Sequence, residues 1–358
     1  MSLRIGLLTS GGDCQSLNAT MRGLAKALYH NDRKLSIIGF TNGYYGFMYN
    51  EYREMKAEDF SGLLSMGGTI LGTSRQSFKY IQDPDEYGND KIELMKGNYE
   101  RNHLDCLVVL GGNGSLKTAN LLSQQGMNVI GLPKTIDNDI YGTEMTFGFY
   151  SALDIATNTI DCIHTTAASH SRVFIVEIMG HKVGWLALYA GIAGGADVIL
   201  LPEIPYSVDS ICENIARRRE QDNKFSIIAV AEGAQSVEEA AMSKKELKKL
   251  QKDTSYPSVA YRVAASIAEK TGSEVRVTVP GHMQRGGSPK PLDRVIASRI
   301  GARGAQAVVE KDYGKLIVVK NNRLETIPLE ETAGRLKLVP KDDPMIQEAR
   351  MMGIGFGD

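Results

Sequence analysis

The chain has 358 residues, with 41 Lys and Arg against 42 Asp and Glu, for a formal net charge of −1. That balance excludes the broad basic footprint of a nucleic-acid-binding protein. A content of 42% hydrophobic and 23% charged residues excludes a disordered chain. Four cysteines, at 14, 106, 162 and 212, form no Cys-x-x-Cys pair and no close cluster, which argues against a zinc site or a disulfide framework and fits a reducing cytoplasm. No apolar run approaches the ~20 residues that a membrane-spanning helix needs, and the N-terminal run reaches Ser10 and two glycines too soon to hold a signal-peptide core.

Short apolar runs alternate with amphipathic stretches along the chain. Arg4–Thr9 reads as a strand that runs into Ser10-Gly11-Gly12-Asp13, followed by a helix over Asn18–His30. Leu35–Phe40 is strand-like, and Leu104–Leu110 is a nearly continuous apolar run suited to a parallel strand covered on both faces. A helix over Ser115–Gln124 and a strand over Asn128–Leu132 follow, and after a polar loop a helix runs from Phe149 to about His164. The pattern then gives a strand at Arg172–Ile178, a helix at Val183–Ile192, a strand at Asp197–Leu201, a helix at Val208–Arg219 and a strand at Phe225–Ala231. The charged stretch Ser236–Gln251 reads as one solvated helix, followed by a helix at Val259–Thr271, a strand at Glu274–Val279 and a helix at Leu292–Lys311.

This alternation predicts an α/β protein with two Rossmann-like three-layer domains, mostly parallel sheets, and an active site in the interdomain cleft at the carboxyl ends of strands. The expected division is a larger domain of residues 1–142 plus about 255–310, and a smaller one of 143–254 plus about 311–358.

Glycine is over-represented, at 37 residues, and ten of these sit in five Gly-Gly pairs. Gly11-Gly12 and Gly111-Gly112 each close a strand and precede a helix. Glycine lets backbone approach a ligand closely, and a helix N-terminus offers free N–H groups to an anion. Gly67-Gly68 leads through small residues to Arg75, and Gly286-Gly287 follows His282-Met283-Gln284-Arg285. Gly194-Gly195 precedes a strand and reads as structural. No GxxxxGK[ST] motif is present, and Gly112-Asn113-Gly114 lacks the third glycine of a dinucleotide fingerprint. The run Pro133-Lys134-Thr135-Ile136-Asp137-Asn138-Asp139 places two carboxylates in a loop at a strand end, where they suit general-base or metal chemistry as well as a simple turn. Arg172, Arg276, His282 and Arg285 are cations near strand ends, suited to phosphate. Trp185 lies in an apolar helical stretch and reads as core.

These motifs, in this order, resemble the phosphofructokinase family from Ile5 to about Gly304. The resemblance rests on residues 8–13, 67–75, 111–115, 133–139, Ser169–Arg172, Glu177–His181, Ala231–Gly233 and Gly281–Pro289. It implies phosphoryl transfer to the 1-hydroxyl of fructose 6-phosphate with Mg²⁺, the glycolytic step that gives fructose 1,6-bisphosphate. Asp137 would be the general base, Thr135 would position the transferred group, and Asp139 would orient the loop or the metal shell. Arg172, Met179, Gly180, His181, Glu232, Arg276, His282 and Arg285 would bind the sugar phosphate, with Arg172 and Arg276 reaching in from a neighbouring subunit of a homodimer or homotetramer. Gly12, Arg75, Gly112, Asn113, Gly114 and Ser115 would bind the donor, and Asn113 and Asp137 the metal.

Three departures from the family pattern limit the transfer. Asn113 replaces the usual acid, His181 replaces an arginine, and only Arg22 remains of the bacterial effector arginines, whose other positions hold Lys26 and His164. On the donor, two positions disagree. Gly114 stands where pyrophosphate-dependent members carry Asp, which leaves room for a nucleotide. Lys134 stands where ATP-dependent bacterial members carry Gly, and it could stabilise a leaving phosphate. The missing obstruction acts directly on ATP, so ATP is the expected donor and pyrophosphate the alternative. A lipid- or NAD-kinase-like enzyme would explain residues 111–115 alone. A non-catalytic sugar-phosphate-binding paralogue would explain Asn113 but not the retained Asp137 and Thr135.

Overall fold

The computed structural model describes residues 3–31, 34–253 and 256–358. Among them run twelve strands: β1 (Arg4–Ser10), β2 (Ser36–Phe40), β3 (Tyr52–Met55), β4 (Cys106–Gly111), β5 (Val129–Thr135), β6 (Phe147–Gly148), β7 (Val173–Ile178), β8 (Val198–Leu200), β9 (Ser226–Ala231), β10 (Val275–Thr278), β11 (Lys315–Lys320) and β12 (Arg323–Pro328). They form two sheets, in the mixed α/β architecture that the alternating pattern predicts. The chain divides into one unit of Met1–Ser151 with Arg285–Lys337 and a second of Ala152–Gln284 with Leu338–Asp358.

The first unit's sheet has the order β12-β11-β5-β4-β1-β2-β3, with β6 beside β5. Its middle strands are parallel, while β3 and β12 close the edges antiparallel. Both faces are covered, which is why β4 and β5 are buried along their whole length. A Cβ at Gly131 would meet Leu116 of the helix Asn113–Gln124, whereas the neighbouring Leu132 lies against Gly304 of the helix Pro291–Glu310. That helix crosses Leu17–Asn31 at backbone distance: an added Cβ at Gly301 would stand 2.3 Å from the Thr20 carbonyl.

The second unit's sheet is wholly parallel, in the order β10-β7-β9-β8. One face packs Ile175, Ile228 and Val230 against apolar residues of the helices Val208–Glu220 and Val259–Thr271. On the other, Gly191 of the helix Trp185–Ala193 abuts Ile199 and Ala229.

Several boundaries differ from the sequence reading, each for a local reason. The expected return to the first domain near 255 falls outside the described residues, and the structure returns at Arg285 instead. β10 pairs with β7, which keeps residues 256–284 in the second unit, and β11 pairs with β5, which holds 311–337 in the first. The expected first boundary at 142 moves to Ser151 because β6 pairs with β5. The helix from Phe149 continues to His170, and the charged stretch is two helices, Val237–Ala240 and Lys244–Asp253. Ser236 with Glu239, and Ser243 with Glu246, each exchange side-chain and backbone hydrogen bonds and so start a helix twice. Gly194 caps its helix with Ile160 packed against it, as a structural turn should, while Trp185 is only half-buried, edge-on to Tyr189.

Candidate active site

In the first unit, register aligns three strand ends. Ser10 of β1 pairs with Gly111 of β4, and Gly111 pairs with Pro133 of β5, so the first two Gly-Gly turns and the Lys134–Asp139 run leave the sheet side by side. Gly11 takes φ +84, a conformation that glycine adopts without strain. The buried Ser115 hydroxyl lies 3.0 Å from that of Ser10, and a Cβ at Gly111 would press to 2.4 Å of the Ser115 Cβ. Gly112 is the N-cap of the helix Asn113–Gln124 and supplies no side chain, so the first N–H groups stay open to an anion. Gly114 is exposed, with open space where a Cβ would stand.

Two cations converge on the first turn. Lys134, 3% exposed, donates its ammonium to the Gly12 carbonyl. Arg285 Nη1 donates to the Asp13 carbonyl at 2.9 Å and would lie 2.8 Å from a Cβ at Gly12. Burial pulls the Lys134 ammonium below the usual lysine range; Arg285 pulls the same way, and Asp137 and Asp139 oppose. Burial also pushes the neighbouring Cys14 thiol up to about 12, so it stays neutral. The other two Gly-Gly loops of this unit meet each other, a Cβ at Gly67 falling 2.0 Å from the Gly287 carbonyl oxygen. Arg75 is exposed on the same loop as Ser74, whose carbonyl accepts from Gly11 N at 3.2 Å.

The turn after β5 is held from within. Thr135 Oγ1 accepts from Asp137 N at 3.0 Å, Thr146 Oγ1 donates to the Thr135 carbonyl at 2.9 Å, and Asn138 sits at φ +53 with its amide nitrogen on the Glu144 carbonyl. Asp137 and Asp139 are half-buried. The fully buried Asp293 carboxylate accepts from Gly148 N, Ser151 N and the Ser151 hydroxyl, and so caps the start of the helix Phe149–His170 from another element. Asn113 turns its amide nitrogen onto the Arg335 carbonyl at 2.6 Å.

The second unit gathers the remaining candidates in two groups. Arg172 Nε donates to Glu274 at 2.7 Å, and Arg276 grips the other oxygen of the same carboxylate. The paired cations, Arg172 first, hold that carboxyl below its usual range. In the turn after β7, Gly180 has φ +149 and His181 φ +52, and His181 N donates to Glu232 Oε1 at 2.6 Å. A Cβ at Gly233 would lie 2.1 Å from the His181 carbonyl oxygen, so only glycine fits there. Met179 N donates to Gln284, while His181, Glu232 and His282 are exposed. The His282–Arg285 run divides: His282 belongs to the second unit, and Arg285 belongs to the first, where it sits on the Gly11-Gly12 turn.

Sequence reasoning did not identify Asp293, Ser151, Thr146, Arg335 or Lys337. None lies in a motif, and a helix cap supplied from a distant element leaves no local spacing to read. Among the described residues no three His, Cys, Asp or Glu side chains converge on a metal cage. The acidic oxygens beside the Gly-Gly turns still suit Mg²⁺, which binds one or two carboxylates together with substrate phosphates.

The family model described as Phosphofructokinase matches residues 4–308. The chain is 53% identical to the ATP-dependent 6-phosphofructokinase of Spirochaeta thermophila, over 99% of this chain and 97% of that one. It is 45% identical to the enzyme of the same name from Propionibacterium freudenreichii, over the whole of both chains. The crystal structure of Pichia pastoris phosphofructokinase in the T-state superposes with a TM-score of 0.80 at 33% identity, covering 93% of this chain but only 35% of that longer one. A pyrophosphate-dependent phosphofructokinase from Marinobacter aquaeolei reaches the same TM-score, 0.80, at 21% identity over 99% of this chain and 88% of that one, and shares the fold. Ordered motifs, fold and near full-length relatives agree: the chain belongs to the phosphofructokinase family.

Proposed function

We propose that the chain is an ATP-dependent 6-phosphofructokinase that moves the terminal phosphoryl group of ATP to the 1-hydroxyl of fructose 6-phosphate. The observation that carries this reading is the alignment of Ser10, Gly111 and Pro133, which sets an open helix N-terminus, two cations and the Thr135–Asp139 turn at the carboxyl ends of three neighbouring strands. In this family setting the first unit binds the donor through Gly12, Arg75, Gly112, Asn113, Gly114 and Ser115. Backbone N–H groups, Lys134 and Arg285 meet the phosphate charge that develops during transfer. The Asp137 carboxylate takes the proton of the attacking hydroxyl as the new O–P bond forms and the bond to the leaving diphosphate breaks, and Thr135 aligns the moving group. Asp137 and the Asn113 carbonyl are the residues that would hold Mg²⁺, which would supply neutralisation of the donor's phosphate charge.

The second unit's residues recognise the sugar phosphate. Arg172, Arg276 and His282 supply its cations, Glu232 a hydroxyl acceptor, and Met179, Gly180 and His181 the wall of the pocket. Arg172 and Arg276 serve a neighbouring copy, so the active form is at least a homodimer.

Open space at Gly114 and the relatives' names support ATP as the donor. Lys134 favours pyrophosphate as the second reading, since a buried ammonium could stabilise a phosphate leaving group. Rates with each donor at saturating fructose 6-phosphate decide: kcat/KM for ATP is expected to exceed that for pyrophosphate at least tenfold. The reverse ratio would overturn the choice of donor without touching the acceptor.

A further inference from the structure

The family match ends at residue 308, yet the chain beyond it returns to the turn that carries Asp137 and Asp139. Leu336 bridges antiparallel to Ile140. On one side of that bridge, Arg335 gives its carbonyl to the Asn113 amide at 2.6 Å and lays its guanidinium 3.5 Å from the centre of the Tyr141 ring. On the other, Lys337 N donates to the Asp139 carbonyl at 2.9 Å, and Lys337 Nζ donates to the carbonyls of Thr143 at 3.0 Å and Glu144 at 2.9 Å. β11 completes the clasp, Val319 N donating to Thr143 Oγ1 and Glu144 N to the Val319 carbonyl, each at 2.9 Å. Both loops of the proposed chemistry, 111–115 and 137–144, are therefore tied by three consecutive residues from outside the matched span.

Lys337 is the centre of that tie. Its ammonium is held by two backbone carbonyls in a half-buried position beside a cavity of about 440 Å³ lined by Tyr141, Glu144 and Lys320, among others. Burial lowers its affinity for a proton, to a pKa of about 7, against the opposing pull of Asp139 and Glu144. A surface lysine serving only solubility would have no reason to lose its water in this way.

We infer that Lys337 is a positioning residue for phosphoryl transfer: through Asp139, Thr143 and Glu144 it fixes the turn that aims Asp137, with Arg335 extending the same hold to Asn113. This rests on the functional reading above. It differs from a purely structural role in acting on one turn and on the chemical step, because the sugar phosphate is assigned to residues of the second unit.

The test uses the full chain with Lys337→Met, which keeps the stem and the backbone N–H but removes the ammonium, and with Lys337→Gln as the milder variant should the first not fold. Steady-state kinetics and amide hydrogen exchange are measured together. The expected result is a fall in kcat of tenfold or more, a KM for fructose 6-phosphate within threefold of wild type, and faster exchange confined to residues 136–146. A kcat within twofold of wild type, or a loss of protection spread through both units, overturns the inference. A wild-type protein with no transferase activity on either donor defeats the functional reading instead, and the exchange measurement still reports whether Lys337 holds the turn.

Discussion

The two groups of phosphate-binding candidates are built on opposite plans. In the first unit Lys134 is 3% exposed and committed to the Gly12 carbonyl, and Arg285 is folded onto the backbone of the same turn. In the second unit Arg172 and Arg276 share the exposed Glu274 carboxylate, an arrangement that water screens and a competing anion can exchange. The first group is desolvated and fixed before any ligand arrives, which suits stabilisation of a charge that exists only in transit. The second holds its cations in reserve on a carboxylate, which suits binding a stable dianion and releasing its product.

The largest loss of activity is expected at Asp137. Asp137→Asn should lower kcat by about 10²–10⁴, the usual contribution of a positioned base, with KM for fructose 6-phosphate nearly unchanged. Steady-state rates check this, and an unchanged turnover removes Asp137 from the mechanism. Next, Lys134→Met should cost about 10² in kcat yet leave the thermal midpoint equal or higher, because it deletes a cation held in a dry site. Calorimetry beside kinetics separates the two effects, and a large fall in midpoint would make the lysine structural. Arg172→Ala should raise KM for fructose 6-phosphate about 10–100-fold, the worth of one charge-assisted hydrogen bond of roughly 1.5–3 kcal/mol. Glu274→Gln should change that KM by less than about fivefold; an effect as large as that of Arg172→Ala would place the carboxylate within the binding site rather than beside it.

The smallest expected effect is on stability against pH. Lys337 binds its proton less tightly in the folded chain, at about 7 against an ordinary 10.5, so the unfolded chain holds more protons between those values and folding is favoured as pH rises through that window. The thermal midpoint of wild type relative to Lys337→Met should therefore increase from pH 7 to 8.5. A flat difference would mean that the lysine keeps its ordinary affinity.

What could be read from the sequence was what is local and repeated. A buried parallel strand such as β4 announces itself as an unbroken apolar run, and glycine pairs at strand ends mark turns that approach a ligand. The edge strands β3 and β12 were missed because their residues are mostly exposed and polar, and β6 because two residues carry no period. The two Ser-x-x-Glu signals, Ser236 to Glu239 and Ser243 to Glu246, do mark in the sequence where the helix restarts. The unit boundary at Arg285 was not, because it depends on which sheet β10 joins, and pairing partners are chosen by tertiary packing.

The crossing of Leu17–Asn31 with Pro291–Glu310 has a consequence for how the protein is made. On a ribosome the four strands of the second unit are all present once Thr278 has emerged, whereas the first unit is still waiting for the helix that seats Gly301 on Thr20 and for β11 to cover the side of β5. The helix translated first is thus enclosed only when a late one arrives. Until the final quarter of the chain appears, the apolar side of Leu17–Asn31 and the unpaired margin of β5 stand open to wrong partners, so nascent chains truncated near 280 are expected to need protection from aggregation.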